Sequence, residues 1–205
     1  MIRSAASQFR WANLLTYLGV SAAAIGVVFT DGPDTRFWAG AGIAAAIAFD
    51  LFDGRFARLF QRTEDDKRFG VEIDSLADVI SFGLAPPVCM FRVAQVSDPA
   101  VRVVLLVSAV FYLLCIVTRL AHFNIFQAGT GGFVGLPSNM PALICAIVLL
   151  WIPGPALTVA VLIAGGAATV GAFRIPRPNR VVLYTILGIC IIVAVLHVIL
   201  LLARY

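Results

Sequence analysis

The sequence predicts an all-α integral membrane protein, a bundle of about seven transmembrane helices within a range of six to eight. Of its 205 residues, 61% are hydrophobic and only 13% are charged, and the mean hydropathy is +0.98. A soluble domain is about half apolar and about a quarter charged. Most of the surface is therefore expected to face lipid, and the short loops indicate one domain over residues 1–205.

The apolar stretches predict the individual spans, because a helix needs about 20 mostly apolar residues to cross a bilayer. Seven stretches qualify or nearly qualify, at about 11–30, 37–60, 70–95, 100–124, 138–152, 156–173 and 181–203. The first is too long for the core of a signal peptide and is interpreted as a span. The fifth is short and WIPGP (151–155) predicts a tight turn after it, so a six-helix arrangement is the alternative.

The basic residues predict the orientation, because Lys and Arg concentrate in cytoplasmic loops. With the N-terminus inside, eleven of the fifteen basic residues fall on the cytoplasmic side and four on the other. The cytoplasmic set is Arg3, Arg10, Arg55, Arg58, Arg62, Lys67, Arg68, Arg119, Arg174, Arg177 and Arg180, and the opposite set is Arg36, Arg92, Arg102 and Arg204. The N-terminus is therefore predicted in the cytoplasm. The net charge of +4 is too small and too scattered to indicate nucleic acid as a partner.

Acidic residues are concentrated in the second and third predicted spans. An ionisable side chain inside a membrane helix is costly and usually marks a functional site. Asp50 and Asp53 are three residues apart on the second span, so they share one helix face. Gly70, Asp74 and Asp78 follow at steps of four on the third span and also share a face. The linker is short and polar, which predicts an antiparallel hairpin whose four aspartates converge near the cytoplasmic surface.

Four carboxylates around one point repel each other unless cations lie between them, which indicates a metal site. Their hard oxygen atoms suit Mg²⁺ or Mn²⁺, with Ca²⁺ as a further candidate, whereas zinc would favour His or Cys ligands. Two divalent ions about 4 Å apart stabilise both the attacking and the leaving oxygen of a phosphoryl transfer. Structural Asp–Arg pairs are the alternative, but Arg55 and Arg58 are too few to neutralise four aspartates. The predicted metal ligands are Asp50, Asp53, Asp74 and Asp78.

Small residues accompany the aspartates. Gly54, Ala57 and Gly70 carry almost no side chain, which leaves room for a flat or phosphorylated ligand against the backbone. Arg58 offers a planar, charged group to a phosphate. Notches for close helix packing are the alternative interpretation of the small residues.

Together these residues resemble the signature of the CDP-alcohol phosphatidyltransferases, integral membrane enzymes that move a phosphatidyl group from a CDP-linked lipid to an alcohol. The matching pattern reads Asp50-x2-Asp53-Gly54-x2-Ala57-Arg58-x11-Gly70-x3-Asp74-x3-Asp78. The spacing of eleven residues between Arg58 and Gly70 is longer than is usual in the family. The extra residues fall in the predicted cytoplasmic turn, where insertions cost little.

Further stretches are similar to the membrane-bound phosphatidylserine synthases of this family. They are IDSLADVISFGLAP (73–86), TRLAHFNI (118–125), in which His122 replaces an Arg, and GGFVGLPSNMPA (131–142). The resemblance implies that CDP-diacylglycerol reacts with L-serine to give phosphatidylserine and CMP. It also implies a homodimer in the cytoplasmic (inner) membrane, among membrane lipids, with its active site facing the cytoplasm.

The resemblance assigns roles to single residues. The aspartates would hold two metal ions, and Asp78 is the candidate general base that takes the proton of the serine hydroxyl. The residues expected to contact the CDP group are Gly54, Ala57, Arg58 and Gly70. Arg119 and Asn124 would bind the serine carboxylate, and their alternative interpretation is a flanking charge and a helix cap. Arg177 and Arg180 are interpreted as interfacial anchors.

Two alternative functions stay open. The first is the same chemistry with glycerol phosphate, inositol phosphate or choline as acceptor. A phosphorylated acceptor would need a basic cluster, and few basic residues are available beyond Arg58, Arg119 and the RIPRPNR stretch (174–180). The second is a transporter that uses the aspartates as a cation pathway. It is disfavoured because these acids lie in one hairpin at one depth.

Overall fold

The computed structural model describes residues 9–127, 132–176 and 178–204, and most of these residues are helical. The α-helices are α1 (Leu14–Phe29), α2 (Arg36–Ala57), α3 (Glu64–Asp78), α4 (Ala85–Ala94), α5 (Pro99–His122), α6 (Asn139–Val148), α7 (Pro155–Thr169) and α8 (Arg180–Leu202). A π-helical turn, Val79–Leu84, joins α3 to α4 without a break. The described residues therefore form seven helical segments, which confirms the predicted all-α membrane class.

Five of the described segments are long and apolar enough to cross a bilayer. They are Trp11–Phe29, Pro33–Ala57, Glu64–Ala94, Pro99–Phe126 and Arg180–Leu202. The other two, α6 and α7, have 10 and 15 residues and are shorter than the predicted fifth and sixth spans. α7 ends at Thr169 because the chain then turns into a short strand. Arg180 begins α8 and is exposed, whereas Arg177 lies outside the described residues.

A two-stranded antiparallel sheet is the one departure from helix in the described residues that have regular structure. Strand β1 (Gly132–Val134) precedes α6, and strand β2 (Arg174–Pro176) precedes α8. Phe133 pairs with Ile175 at the centre of the ladder. The sheet connects two segments that are far apart in the sequence, so no local pattern predicts it.

The third helical segment begins at Glu64, six residues before the predicted start of the span. Thr63 and Asp66 form a capping box, a pair of reciprocal hydrogen bonds that begins a helix. The Thr63 Oγ1 accepts from the Asp66 backbone N–H at 3.2 Å, and the Asp66 Oδ2 accepts from the Thr63 N–H at 2.9 Å. Half of the predicted linker is therefore helical, and the true connection is residues 58–63.

The π-helical turn directly follows Asp78. Pro86 and Pro87 have no N–H to donate to the carbonyl groups of Phe82 and Gly83, four residues earlier. The helical hydrogen bonds there shift to the wider π pattern, a local change that is frequent at functional sites. The shift changes the helix register immediately after the last aspartate.

Helices α1 and α2 pack closely through small residues. A Cβ atom added at Gly42 would lie 2.4 Å from the carbonyl oxygen of Ala22, and one at Gly26 would lie 3.0 Å from that of Trp38. Close backbone approach through small residues is typical of helix pairs in membranes. It places α1 beside the helix that bears Asp50 and Asp53.

The two termini of the described chain lie at opposite ends of the bundle, as an odd number of helices requires. Arg10, before α1, forms an ion pair with Asp66 at the start of α3. Arg204, after α8, forms an ion pair at 2.6 Å with Asp34, before α2. The end at which α2 stops and α3 begins is called the aspartate end below.

Candidate active site

Helices α2 and α3 bring the four predicted aspartates together at the aspartate end. Asp50, Asp74 and Asp78 each bring a carboxylate oxygen to within 4.8 Å of the other two. Asp53 lies one turn further along α2, and its carboxyl group contacts that of Asp74. Thr16 of α1 donates a hydrogen bond from Oγ1 to Asp53 Oδ2 at 3.1 Å. The spacing of three and four residues along two antiparallel helices produces this convergence.

The carboxylates of Asp50, Asp74 and Asp78 have the chemistry and spacing of a divalent-cation site. Oxygen ligands lie about 2.0–2.6 Å from Mg²⁺ or Ca²⁺, so ligands of one ion are no more than about 5 Å apart. The observed limit of 4.8 Å meets this condition. The three ligands offer oxygen rather than sulfur or imidazole, which suits a hard cation.

The first residue of α6 and the residue before it supply two polar partners to this cluster. Ser138 donates from Oγ to Asp78 Oδ2 at 3.3 Å, and Asn139 donates from Nδ2 to Asp50 Oδ2 at 3.1 Å. Sequence analysis did not predict either residue as part of the site. Their position within the GLPSNMPA stretch is the only local signal that could have identified them.

A cavity of about 270 Å³ opens beside Asp53 and Asp74. It is lined by Ala12, Asn13, Thr16, Asp53, Gly54, Ala57, Arg62, Lys67, Gly70, Val71 and Asp74. A Cβ atom at Gly54 would meet nothing within 4 Å in the described part of the chain, and one at Gly70 would meet no atom closer than 3.7 Å. The packing-notch interpretation therefore does not explain these two glycines in the described chain.

The positive charge at this cavity comes from residues that sequence analysis placed in the linker. Arg62 and Lys67 line the cavity, whereas Arg58, within the described residues, does not. α2 ends at Ala57, so Arg58 leaves the helix at its C-cap and is exposed. That Arg58 contacts the nucleotide stays a prediction. Arg62 and Lys67 line the cavity and are therefore better placed to contact a ligand there.

Arg119 and Asn124, the predicted acceptor residues, lie on the α5 side of the cluster. Arg119 is 8% exposed and close enough to Asp50 and Asp78 to interact with them electrostatically. Its guanidinium carbon lies 5.2 Å from the ring centre of Phe123 and 5.9 Å from that of Phe133. Asn124 instead donates from Nδ2 to Ser75 Oγ at 2.7 Å. β1 thus covers Arg119, a contact that only the tertiary fold creates.

The fold and the site define a helical membrane protein in which a hairpin holds four aspartates beside a cavity lined partly by Arg62 and Lys67. Residues 9–172 match the family model described as CDP-alcohol phosphatidyltransferase, and the chain belongs to this family.

Curated relatives are similar to this chain over part of their length. A CDP-diacylglycerol–serine O-phosphatidyltransferase of Methanocaldococcus jannaschii is 32% identical over 69% of this chain and 66% of its own. The Bacillus subtilis protein of the same name is 32% identical over 56% of this chain and 61% of its own. An archaetidylserine synthase of Methanothermobacter thermautotrophicus is 37% identical over 47% of this chain and 40% of its own. The matches thus span about two thirds or less of each relative.

Proposed function

We propose that this protein transfers the phosphatidyl group of CDP-diacylglycerol to L-serine and so makes phosphatidylserine and CMP. The cluster of the Asp50, Asp74 and Asp78 carboxylates, with Asp53 in contact with Asp74, beside the glycine-lined cavity is the observation that supports the chemistry. The names of the relatives support serine as the acceptor.

The cavity is the proposed site of the CDP group. Gly54 and Gly70 leave the backbone of α2 and α3 open to a flat ligand. Arg62 and Lys67 offer positive charge to the diphosphate. Arg58, exposed at the C-cap of α2, is proposed as a further phosphate contact. The acyl chains would leave between helices into the membrane.

The four aspartates are the proposed ligands of two divalent cations, Mg²⁺ or Mn²⁺. When bound, the cations would neutralise the diphosphate and stabilise CMP as the leaving group. Asp78 takes the proton from the serine hydroxyl, whose oxygen bonds to the β-phosphorus while the bond from that phosphorus to the CMP oxygen breaks. Asp50, Asp53 and Asp74 would hold the cations and would not contact the diphosphate directly, because carboxylates and phosphates repel each other.

Arg119 and Asn124 are the proposed contacts of the serine carboxylate. Arg119 offers a guanidinium group beside Asp50 and Asp78, where the serine hydroxyl must be deprotonated. We further propose that the protein is a homodimer in the cytoplasmic membrane and that the aspartate end faces the cytoplasm. The excess of basic residues at that end supports this orientation.

An acceptor assay tests the proposed function. Purified protein in detergent is given CDP-diacylglycerol and Mn²⁺ with labelled serine, glycerol phosphate, inositol phosphate or choline. CMP release and a labelled lipid are expected with serine and with none of the other three acceptors. Transfer only to another acceptor would contradict serine as the substrate, and absence of CMP release with every acceptor would favour a transporter.

Replacing Gly54 by Leu is expected to raise the KM for CDP-diacylglycerol by about 10- to 100-fold, because the new side chain would enter the proposed nucleotide cavity. The thermal unfolding midpoint is not expected to fall, because a Cβ at Gly54 meets no described atom within 4 Å and Leu favours a helix over Gly by about 1 kcal/mol. KM and the unfolding midpoint are measured on the same detergent preparation.

Gly188→Leu is the matched control for this variant. Gly188 is also a helical glycine whose Cβ would meet none of the described residues within 4 Å, and it lies on α8, outside the cavity lining. It should keep the wild-type KM. A normal KM in Gly54→Leu would contradict the assignment of this cavity to the CDP group.

A further inference from the structure

The side-chain amide of Asn139, the first residue of α6, has a hydrogen-bond partner for its nitrogen but none among the described residues for its oxygen. Its Nδ2 donates to Asp50 Oδ2 at 3.1 Å. Its Oδ1 is buried and has no hydrogen-bond partner among the residues that the structure describes. A buried polar atom without a partner is rare in folded proteins and is costly, so each one requires an explanation.

The orientation of this amide follows from its neighbour. A carboxylate only accepts hydrogen bonds, so the atom that faces Asp50 must be the nitrogen donor. Oδ1 therefore belongs to the other side of the amide group, where its partner must be a donor. The adjacent hydroxyl of Ser138 does not fill this role, since it donates to Asp78.

The contacts of Asn139 place it near Asp78, the residue proposed to deprotonate the acceptor. Asn139 contacts Asp50, and Asp50 lies within 4.8 Å of Asp78, the proposed base, between their nearest carboxylate oxygens. The adjacent residues Ser138 and Asn139 donate to Asp78 and Asp50 respectively, so Asn139 is a neighbour of the proposed base. An ammonium group there would also be attracted by the Asp50 carboxylate, whereas a phosphate would be repelled.

We propose that Asn139 Oδ1 accepts a hydrogen bond from the ammonium group of the acceptor, and that Asn139 thereby selects acceptors with a primary amine. This inference rests on the proposed function. It explains discrimination against glycerol phosphate and inositol phosphate, which have no amine. It also explains discrimination against choline, whose quaternary nitrogen has no hydrogen to donate.

A matched pair of acceptors tests the inference. Serine and 3-hydroxypropionate share the hydroxyl and the carboxylate, and only serine has the amine. In Asn139→Ala, the KM for serine is expected to rise by about 10- to 100-fold, the range for loss of a hydrogen bond to a charged group. The Ki of 3-hydroxypropionate, measured as a competitive inhibitor against serine, is expected to stay unchanged, as is the KM for CDP-diacylglycerol.

A purely structural role would give a different result. If Asn139 acted only by holding Asp50, Asn139→Ala would alter serine and 3-hydroxypropionate equally and would weaken Mn²⁺ binding, measured by electron paramagnetic resonance. An equal change in the affinity for serine and for 3-hydroxypropionate would overturn the inference.

Asn139→Asp provides the second variant. It keeps an oxygen acceptor and loses the donor to Asp50, so we expect preference for serine over 3-hydroxypropionate to be retained while kcat falls. Loss of that preference in Asn139→Asp would overturn the inference even if Asn139→Ala does not fold. Absence of transfer from CDP-diacylglycerol to serine in the wild-type protein would instead contradict the proposed function.

Discussion

Replacing Asp78 by Asn is expected to lower kcat by about 10²- to 10⁴-fold, the usual contribution of a general base. The amide has the shape of the carboxylate and can still accept the hydrogen bond from Ser138 Oγ, which lies 3.3 Å from Asp78 Oδ2. It cannot take a proton from the serine hydroxyl. CMP release measures the effect, and Mn²⁺ titration on the same sample measures how well the variant retains metal.

The stability of Asp78→Asn is expected to rise although its activity falls. Asp50, Asp74 and Asp78 bring their carboxylate oxygens to within 4.8 Å of one another, so like charges repel when no cation is bound. Removal of one charge reduces that repulsion, and the thermal unfolding midpoint in EDTA should therefore rise. A loss of activity with a raised midpoint separates a catalytic defect from a folding defect.

Glu72→Gln is the matched control, since Glu72 is an exposed acid on the same helix and undergoes the same change in charge. It should keep wild-type kcat and an unchanged midpoint in EDTA. Near-normal turnover in Asp78→Asn with Mn²⁺ bound would mean that another group removes the proton.

Replacing Gly135 by Ala is expected to impair both folding and activity. Gly135 has φ +75°, a region that costs other residues about 1–2 kcal/mol. A Cβ atom there would lie 2.0 Å from the carbonyl oxygen of Thr169, which belongs to the backbone and cannot move aside alone. Overpacking of this kind adds about 1–3 kcal/mol.

The position of Gly135 connects this strain to the site. Its N–H donates to Phe173 O at 2.9 Å, and the N–H of Leu136 donates to Ala168 O at 2.9 Å. These bonds attach the segment before α6 to the end of α7 and to the residues that follow it. A displaced segment would carry Ser138 and Asn139 away from the aspartates, so kcat should fall together with a decrease of about 5 °C or more in the unfolding midpoint.

Gly188→Ala is the control for Gly135→Ala. A Cβ at Gly188 meets nothing within 4 Å in the described chain, and Ala favours a helix over Gly by about 1 kcal/mol. Its activity and midpoint should not decrease. Wild-type activity and stability in Gly135→Ala would show that the backbone near Thr169 can adjust, and would remove the proposed link between this turn and the site.

The aspartate cluster was predictable because its geometry is local. The steps from Asp50 to Asp53 and from Asp74 to Asp78 are three and four residues, and helix periodicity alone places each pair on one face. The short polar linker then leaves few ways to arrange the two helices. The capping box of Thr63 and Asp66 was also present in the sequence, and attention to it would have given the correct start of α3.

The nucleotide cavity was predictable only in part. Gly54 and Gly70 were compatible with ligand binding or with helix packing, and the two uses differ only in what lies opposite each glycine. The open space around both glycines favours the ligand. Arg62 does lie in the connection between α2 and α3, whereas Lys67 lies on the first turns of α3. That both line the cavity depends on how the hairpin packs, which no local pattern predicts.

By itself, the sequence determined the membrane class, the hairpin and the four carboxylates, because hydropathy and helix periodicity depend on neighbouring residues. The tertiary structure alone decided what surrounds them. Thr16 reaches Asp53, and Asn139 reaches Asp50 across 89 positions of the chain. Such contacts depend on how the seven described helical segments pack, and packing is set by the sum of many weak interactions rather than by any local pattern.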